Sequence, residues 1–286
     1  MCRVIRVSPG GYYAWRKRLT KPPSLKRRRT AQLIKDCFWE NRRRYGTRRI
    51  AAALQRQGEQ VGRGRVRAVL RAENLQAIQP KKFAPKTTDS LHGKMASSNL
   101  LREAENQPTK AASVIIGDIT YLPLVAGKWC YLAVWQDKFT RRIIGWAVEE
   151  RMTADLIIHA FDKAMRNGLI EAGAIVHTDR GSQYVSTDFR ARLSANKLRQ
   201  SMSGKGNCYD NAQAESFFSR FKTELIEEGA FSSVEEARSE AFSYIEGYYN
   251  ISRLHSSLDN KTPLEFELEL KTKEKEGRKS LVSIFT

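Results

Sequence analysis

Three apolar runs follow one another so closely that only tight turns fit between them. They are SVIIGDITYLPL (113–124), GKWCYLAVWQD (127–137) and RRIIGWAVEE (141–150). Breaks this short suit an antiparallel meander. The period then changes. TADLIIHAFDKAMRNG (153–168) reads as an amphipathic helix capped by Thr153 and stopped at Gly168. AIVHTD (174–179) is a short, wholly apolar strand of the kind buried inside a sheet. A helix at 186–198, a strand at 199–203 and helices at 211–228 and 234–250 complete the series.

Three strands, helix, strand, helix, strand, helix is the order of the ribonuclease-H-like fold. The chain is therefore expected to contain an α/β domain with a mixed five-stranded sheet and flanking helices. Two of its strands carry an acid where folding alone gives no reason for one. Asp118 interrupts the first apolar run, and Asp179 ends the run AIVHTD. Glu215 opens the helical pattern ESFFSRFKTEL. In the expected fold the fourth strand pairs beside the first, and the Glu215 helix packs across that edge. Neighbouring strands are roughly 4.8 Å apart, so two such aspartates can share a metal. Hard divalent cations take oxygen ligands, and an Asp/Asp/Glu set without nearby His or Cys favours Mg2+ or Mn2+ over zinc. Two such ions stabilise the attacking and leaving oxygens of a phosphodiester exchange. Lys222, seven positions after Glu215, projects from nearly the same helix face and can meet a phosphate there.

Other candidates have plainer readings. GKGN (204–207), with Lys205, lacks the spacing of a P-loop and reads as a mobile loop before the Glu215 helix. Asp137 closes the second strand, where a turn role is expected over the alternative of an approach to Asp118. His177 is expected to be a packed histidine, and the stretch from Glu265 to Lys279 a solvated helix or frayed end.

Charge divides the chain. Residues 1–86 hold 24 Lys and Arg against 4 Asp and Glu; the rest hold 26 against 27. An asymmetry this sharp points to an anionic polymer as partner of the first third. Ser8 can cap a short helix starting at Pro9, whose Tyr12, Tyr13, Trp15 and Leu19 would pack on Val4, Ile5 and Val7. After the linker LTKPPS, a helical period runs from Leu25 to about Arg44. In YGTRRIAAALQRQGEQVGRGRVRAVLRAENL (45–75), Thr47 would cap a helix bearing Ile50, Ala53 and Leu54. GEQVG turns the chain into a helix bearing Val66, Val69 and Leu70, and Arg63, Arg65, Arg67 and Arg71. This is a helix-turn-helix layout, whose second helix can enter a major groove. With Arg48 and Arg49 these arginines are the expected DNA contacts.

The expected boundaries are an N-terminal helical segment (1–24), a helix-turn-helix region (25–80), a linker (81–110), the α/β domain (111–268) and a charged tail (269–286). No run of 18 apolar residues spans a membrane, and the N-terminus lacks the pattern of a secretory signal. The four cysteines and four histidines are scattered without zinc spacing, as expected of incidental thiols in a reducing cytoplasm.

The strings MCRVIRVSPGGYYAW, RYGTRRIAAAL, GDITYLPL, KFTRRIIGWAV, HTDRGSQYVS, SMSGKGNCYDNAQAESFFSRFKTEL and YIEGYYNISRLHSSLDNKTPLEF resemble second-frame transposases of the bacterial insertion sequence 3 family. More distantly they resemble the retroviral integrase core. The resemblance runs to about residue 267. It implies a catalytic triad at Asp118, Asp179 and Glu215, a basic helix residue at Lys222, and Mg2+-dependent transposition in the bacterial cytoplasm, at the nucleoid. Water would nick an element end to free a 3′-hydroxyl, which would then attack a second phosphodiester. The implied partners are terminal inverted repeats and target DNA, a homodimer or larger synaptic complex, and an upstream-frame product joined by frameshifting. Two other functions use the same features: a nuclease of the same fold acting by hydrolysis alone, and a non-catalytic DNA-binding regulator of the element. One departure stands out: SVIIG occupies the place where family members often carry an aromatic before the first aspartate.

Overall fold

The strand runs condense into a sheet because their side chains are apolar on both faces, so neither face can be left to water. The computed structural model describes residues 7–20, 22, 24–79, 97–204, 212–226 and 229–284. It divides into two units, residues 1–78 and 79–286.

In the second unit, β1 (Val114–Pro123), β2 (Trp129–Asp137) and β3 (Ile143–Glu149) form the expected antiparallel meander. β4 (Ile175–Thr178) and β5 (Arg199–Met202) then add in parallel beside β1, so the sheet order is β3-β2-β1-β4-β5. The mixed five-stranded sheet is the one the element order predicts. On one face α5 (Ala154–Arg166) and α6 (Thr187–Ala195) bury Leu156, Ile157, Phe161 and Phe189 against Ile115, Ala133, Trp135 and Val176. On the other, α7 (Ala212–Leu225) and α8 (Val234–Tyr244) bury Phe217, Phe221, Ala237 and Tyr244 against Leu122, Leu132, Val134 and Val148. The chain continues from α8 through a π-helical turn (Ile245–Tyr249) and ends in α9 (Pro263–Ile284).

Two glycines set how closely the layers approach. A Cβ at Gly145 would lie 2.2 Å from the Ala160 carbonyl oxygen, so β3 can meet α5 only without a side chain there. At Gly117, beside Asp118, a Cβ would lie 2.2 Å from the Trp135 ring. The large ring over this part of β1 thus comes from the neighbouring strand, where SVIIG itself has none. Trp135 is fixed in turn: its indole donates to the Ile157 carbonyl (3.1 Å) and it stacks on Phe189, centroids 5.5 Å apart. Gly117→Ala is therefore expected to cost about 1–3 kcal/mol as overpacking. Urea denaturation checks this; a midpoint equal to the parent's would contradict the packing described.

Residues 97–112 lie along the β5 edge. Leu101 is buried with Val114 and Ile175, and the Leu100 amide donates to Ser201 Oγ (3.0 Å). The C-terminal helix is solvated only in part. Glu267 is 1% exposed and accepts from Arg142 (2.8 Å) and Lys271 (2.7 Å), which hold its carboxyl below the usual range although burial opposes them.

In the first unit, α1 (Pro9–Thr20) starts at the expected cap: Ser8 Oγ accepts from the Gly11 amide at 2.9 Å. Its Tyr13 and Trp15 are exposed rather than packed; Val4, Ile5 and the Leu19 side chain lie outside the described residues. α2 (Leu25–Glu40) ends four residues before Arg44, because Arg42 and Arg43 turn to positive φ. α3 (Thr47–Arg56) and α4 (Arg63–Ala72) form the helix-turn-helix pair, with Ile50, Ala51, Leu54, Val66 and Leu70 buried. Ala51, not Ala53, completes the inner face of α3. Thr47 does not cap it: Gly46 holds that position, and the Thr47 hydroxyl accepts from Arg63 Nε instead (3.3 Å). Thr153 likewise precedes α5 without a side-chain cap bond.

Candidate active site

Register decides where the first two acids meet. β1 and β4 run parallel with Ile116 opposite His177. Two residues further along the same register come Asp118, within β1, and Asp179, the residue just past the end of β4. Both are half-buried. Asp179 Oδ1 accepts from the Gly181 amide (2.9 Å), which turns the chain sharply after β4. Asp118 Oδ1 accepts from the Ile119 amide (2.8 Å). His177 is wholly buried between the hydroxyls of Ser201 (2.8 Å) and Ser203 (3.1 Å), a packed histidine as expected. Asp137 fills its turn role: it is buried and accepts from the Thr140 hydroxyl (2.6 Å) and the Phe139 amide (3.0 Å). With His177 and Asp137 so engaged, the candidate ligands at this level are the Asp118 and Asp179 carboxylates.

Helix α7 brings the third acid and the lysine alongside. Gln213 reaches the Asp137 and Lys138 carbonyls at 3.4 Å, and Asp137 is the β2 partner of Ile115. At the other end, Lys222 Nζ sits 3.9 Å from the centre of the Tyr121 ring. The helix thus runs along β1 from the level of Ile115 to that of Tyr121, and Asp118 lies between. Glu215 and Lys222 share one flank of α7, beside the stripe of Ala214, Phe217, Phe218 and Phe221 that packs on the sheet. Burial pushes the Lys222 ammonium below its ordinary pKa, and the Asp118 carboxylate pulls the other way. Glu215 is exposed in the first turn. Among the described residues no three His, Cys, Asp or Glu side chains are close enough to hold a metal ion, so the structure does not gather the triad into one cluster. The segment just before α7, residues 205–211 with Lys205, lies outside the described residues.

Comparison with known proteins bears on the whole chain. Two models, each described as an integrase core domain, match residues 108–208 and 196–263, and an HTH-like domain matches 25–83. Transposase InsF for insertion sequence IS3A of Escherichia coli (strain K12) is 40% identical over 272 residues, 93% of this chain and 92% of that protein. The chain belongs to the IS3 transposase family. The IS600 uncharacterized 31 kDa protein of Shigella sonnei is 39% identical over 269 residues, 93% of this chain and 97% of that one. Among solved structures, a chain of the simian T-cell lymphotropic virus intasome in complex with PP2A regulatory subunit B56 gamma aligns at 16% identity. The TM-score is 0.46, with 76% of this chain and 69% of that one covered.

An IS3 transposase handles DNA, and the helix-turn-helix unit presents its cations unevenly. Arg65, Arg67 and Arg71 are exposed on α4 while Val66 and Leu70 turn inward. Arg67 and Arg71 stand one turn apart on one side, and Arg65 stands on the other. Arg63 is also exposed but is engaged with Thr47. On α3, Arg48 is exposed, and Arg49 lies over the Tyr45 ring at 5.9 Å. No described helix is long and apolar enough to cross a membrane. Of the thiols, Cys37 and Cys130 are buried and pushed up to about 11, too high for reactive thiolates.

Sequence reasoning missed Tyr184. It is 2% exposed, faces the charges of both Asp118 and Asp179, and its hydroxyl has no hydrogen-bond partner among the described residues. Burial first, then the two carboxylates, raises the phenol well above its usual pKa. Nothing in RGSQY distinguishes this tyrosine from an ordinary core aromatic.

Proposed function

We propose that Asp118, Asp179 and Glu215 form the catalytic acid set of this transposase and hold two Mg2+ or Mn2+ ions. The observation that carries the reading is the level placement of Asp118 and Asp179 on adjacent parallel strands, with α7 alongside. The donor chemistry fits: the nearby histidine is occupied by two serines, which leaves oxygen ligands that suit hard cations. Glu215 joins the pair by a shift of the first turn of α7 when DNA and metal are present. Such ions supply charge stabilisation to the attacking and leaving oxygens of an in-line displacement.

The reaction runs in two exchanges at phosphorus. Water attacks the phosphodiester at an element end, the bond to the 3′-oxygen breaks, and a 3′-hydroxyl is freed. That hydroxyl then attacks a second phosphodiester, at the other end or in a target, and one P–O bond replaces another. Lys222 binds a non-bridging phosphate oxygen beside Asp118, and Arg67, Arg71, Arg65 and Arg48 hold the duplex. Because two ends must be paired, the working species is a homodimer or larger synaptic complex on the bacterial chromosome. The upstream-frame product, joined by frameshifting, supplies further DNA-binding segments.

Incubating a pre-cut end duplex with enzyme tests the reading, scoring joined products by gel. Joining is expected with Mg2+ and not with a chelator. Hydrolysis of the duplex without joining would move the assignment to a nuclease of this fold. Binding with neither product would move it to a regulator.

A further inference from the structure

Trp129 opens β2 and is 48% exposed, opposite Pro123 at the turn end of the β1–β2 hairpin. A single exposed aromatic needs no explanation. This one continues a row that begins at the candidate active site. Asp118 acts on the Lys222 ammonium, Lys222 Nζ lies 3.9 Å from the Tyr121 ring centre, and Tyr121 meets Trp129 edge-to-face at 4.9 Å. Exposed Lys128 precedes it. The hairpin is also tied down. The Leu124 amide donates to the Lys128 carbonyl (2.8 Å), the Val125 amide to Phe231 (2.9 Å), and the Phe231 amide to Pro123 (2.9 Å).

A cation followed by an aromatic face on a fixed strand has the chemistry of a single-strand nucleic-acid site. The lysine meets phosphate while the ring stacks a base of any sequence. We infer that the exposed face of Trp129 is a stacking platform for an unpaired base of the DNA strand whose phosphate meets Lys222. The inference rests on the active-site reading above and adds to it a base contact. Five residues of β1 separate Asp118 from the level of Trp129, about 17 Å at strand rise. That is about five nucleotide steps at the 3.4 Å duplex rise, and fewer for a stretched strand. The platform therefore acts on bases flanking the reacting phosphate. It favours ends whose terminal pairs have opened.

The test uses the full chain and pre-cut end duplexes with 2-aminopurine replacing single adenines near the 3′-hydroxyl. Trp129→Leu keeps an apolar contact for Tyr121 but has no π face; Trp129→Phe keeps one. Thermal melting first establishes that both variants fold. With Trp129→Leu, loss of the 2-aminopurine quench is expected, with joining slowed about tenfold, the order of one lost base stack. Trp129→Phe is expected to retain most of both. Parent-like quenching in Trp129→Leu overturns the platform whatever happens to joining. Asp179→Asn separates the two readings: it is expected to keep the quench while losing joining. Normal joining by that variant would defeat the acid set, whereas an unchanged quench in Trp129→Leu defeats only the platform.

Discussion

Asp118→Asn and Asp179→Asn should each lose at least about a thousandfold in the joining of pre-cut ends while binding the same DNA as the parent does. Asparagine preserves the size and hydrogen-bond reach of the side chain and removes only its charge. A neutral amide cannot hold a hard dication as a carboxylate does, and the charge stabilisation at stake is several kcal/mol, tenfold in rate for each 1.36. On the proposed reading most DNA affinity comes from the cationic first 86 residues, so filter binding or anisotropy is expected not to change. Stability gives a second signature. The register that pairs Ile116 with His177 carries Asp118 and Asp179 to neighbouring positions, so neutralising one is expected to relieve repulsion between like charges. The melting temperature is therefore expected to be no lower than the parent's, as befits residues kept for chemistry rather than folding. A variant that joined ends within a few-fold of the parent would remove that aspartate from the catalytic set. A variant that simply unfolded would mark it as structural.

Arg253→Met should lower the melting temperature of the catalytic unit by about 10 °C. Arg253 is 2% exposed and pairs with Glu224, the buried acid in the last turn of α7; the Tyr244 hydroxyl donates to the other carboxylate oxygen at 2.8 Å. Burial works against the charge on Arg253, and the Glu224 carboxylate more than offsets it, holding the guanidinium above its ordinary pKa. Removing one member of such a pair strands the other without solvent. The cost is about 3–5 kcal/mol, and each kcal/mol moves the midpoint about 2–4 °C in a domain this size. Adding Glu224→Gln should recover most of the loss, because the amide still accepts from Tyr244 without an uncompensated charge. Calorimetry on the single and double variants checks both statements. Equal midpoints for parent and Arg253→Met would mean that the pair contributes nothing. The consequence reaches the active site, since the helix anchored by Glu224 also carries Glu215 and Lys222.

Much of this architecture was legible beforehand. The 113–150 meander, the alternation of helix and strand after it, and the helix-turn-helix were all readable, because apolar periodicity reports local structure directly. Helix ends were less so. Thr47 and Thr153 have the chemistry of caps, yet neither makes the bond: Thr47 is already the first residue of its helix, and Thr153 holds the cap position with extended backbone but makes no side-chain bond there. Glu267 sits among alternating charges and reads as solvated. It is buried because Arg142, 125 residues earlier, reaches it.

From composition and order alone came the partner class, the two kinds of unit and the identity of the acids worth suspecting. Only tertiary structure decided that Asp118 and Asp179 come to one level, that Tyr184 is buried within the field of both, and that Lys222, Tyr121 and Trp129 stand in a row. Those relations come from strand register and helix docking, which join residues far apart in the chain. A register shift of one residue would move every side chain to the opposite face without altering a single local pattern.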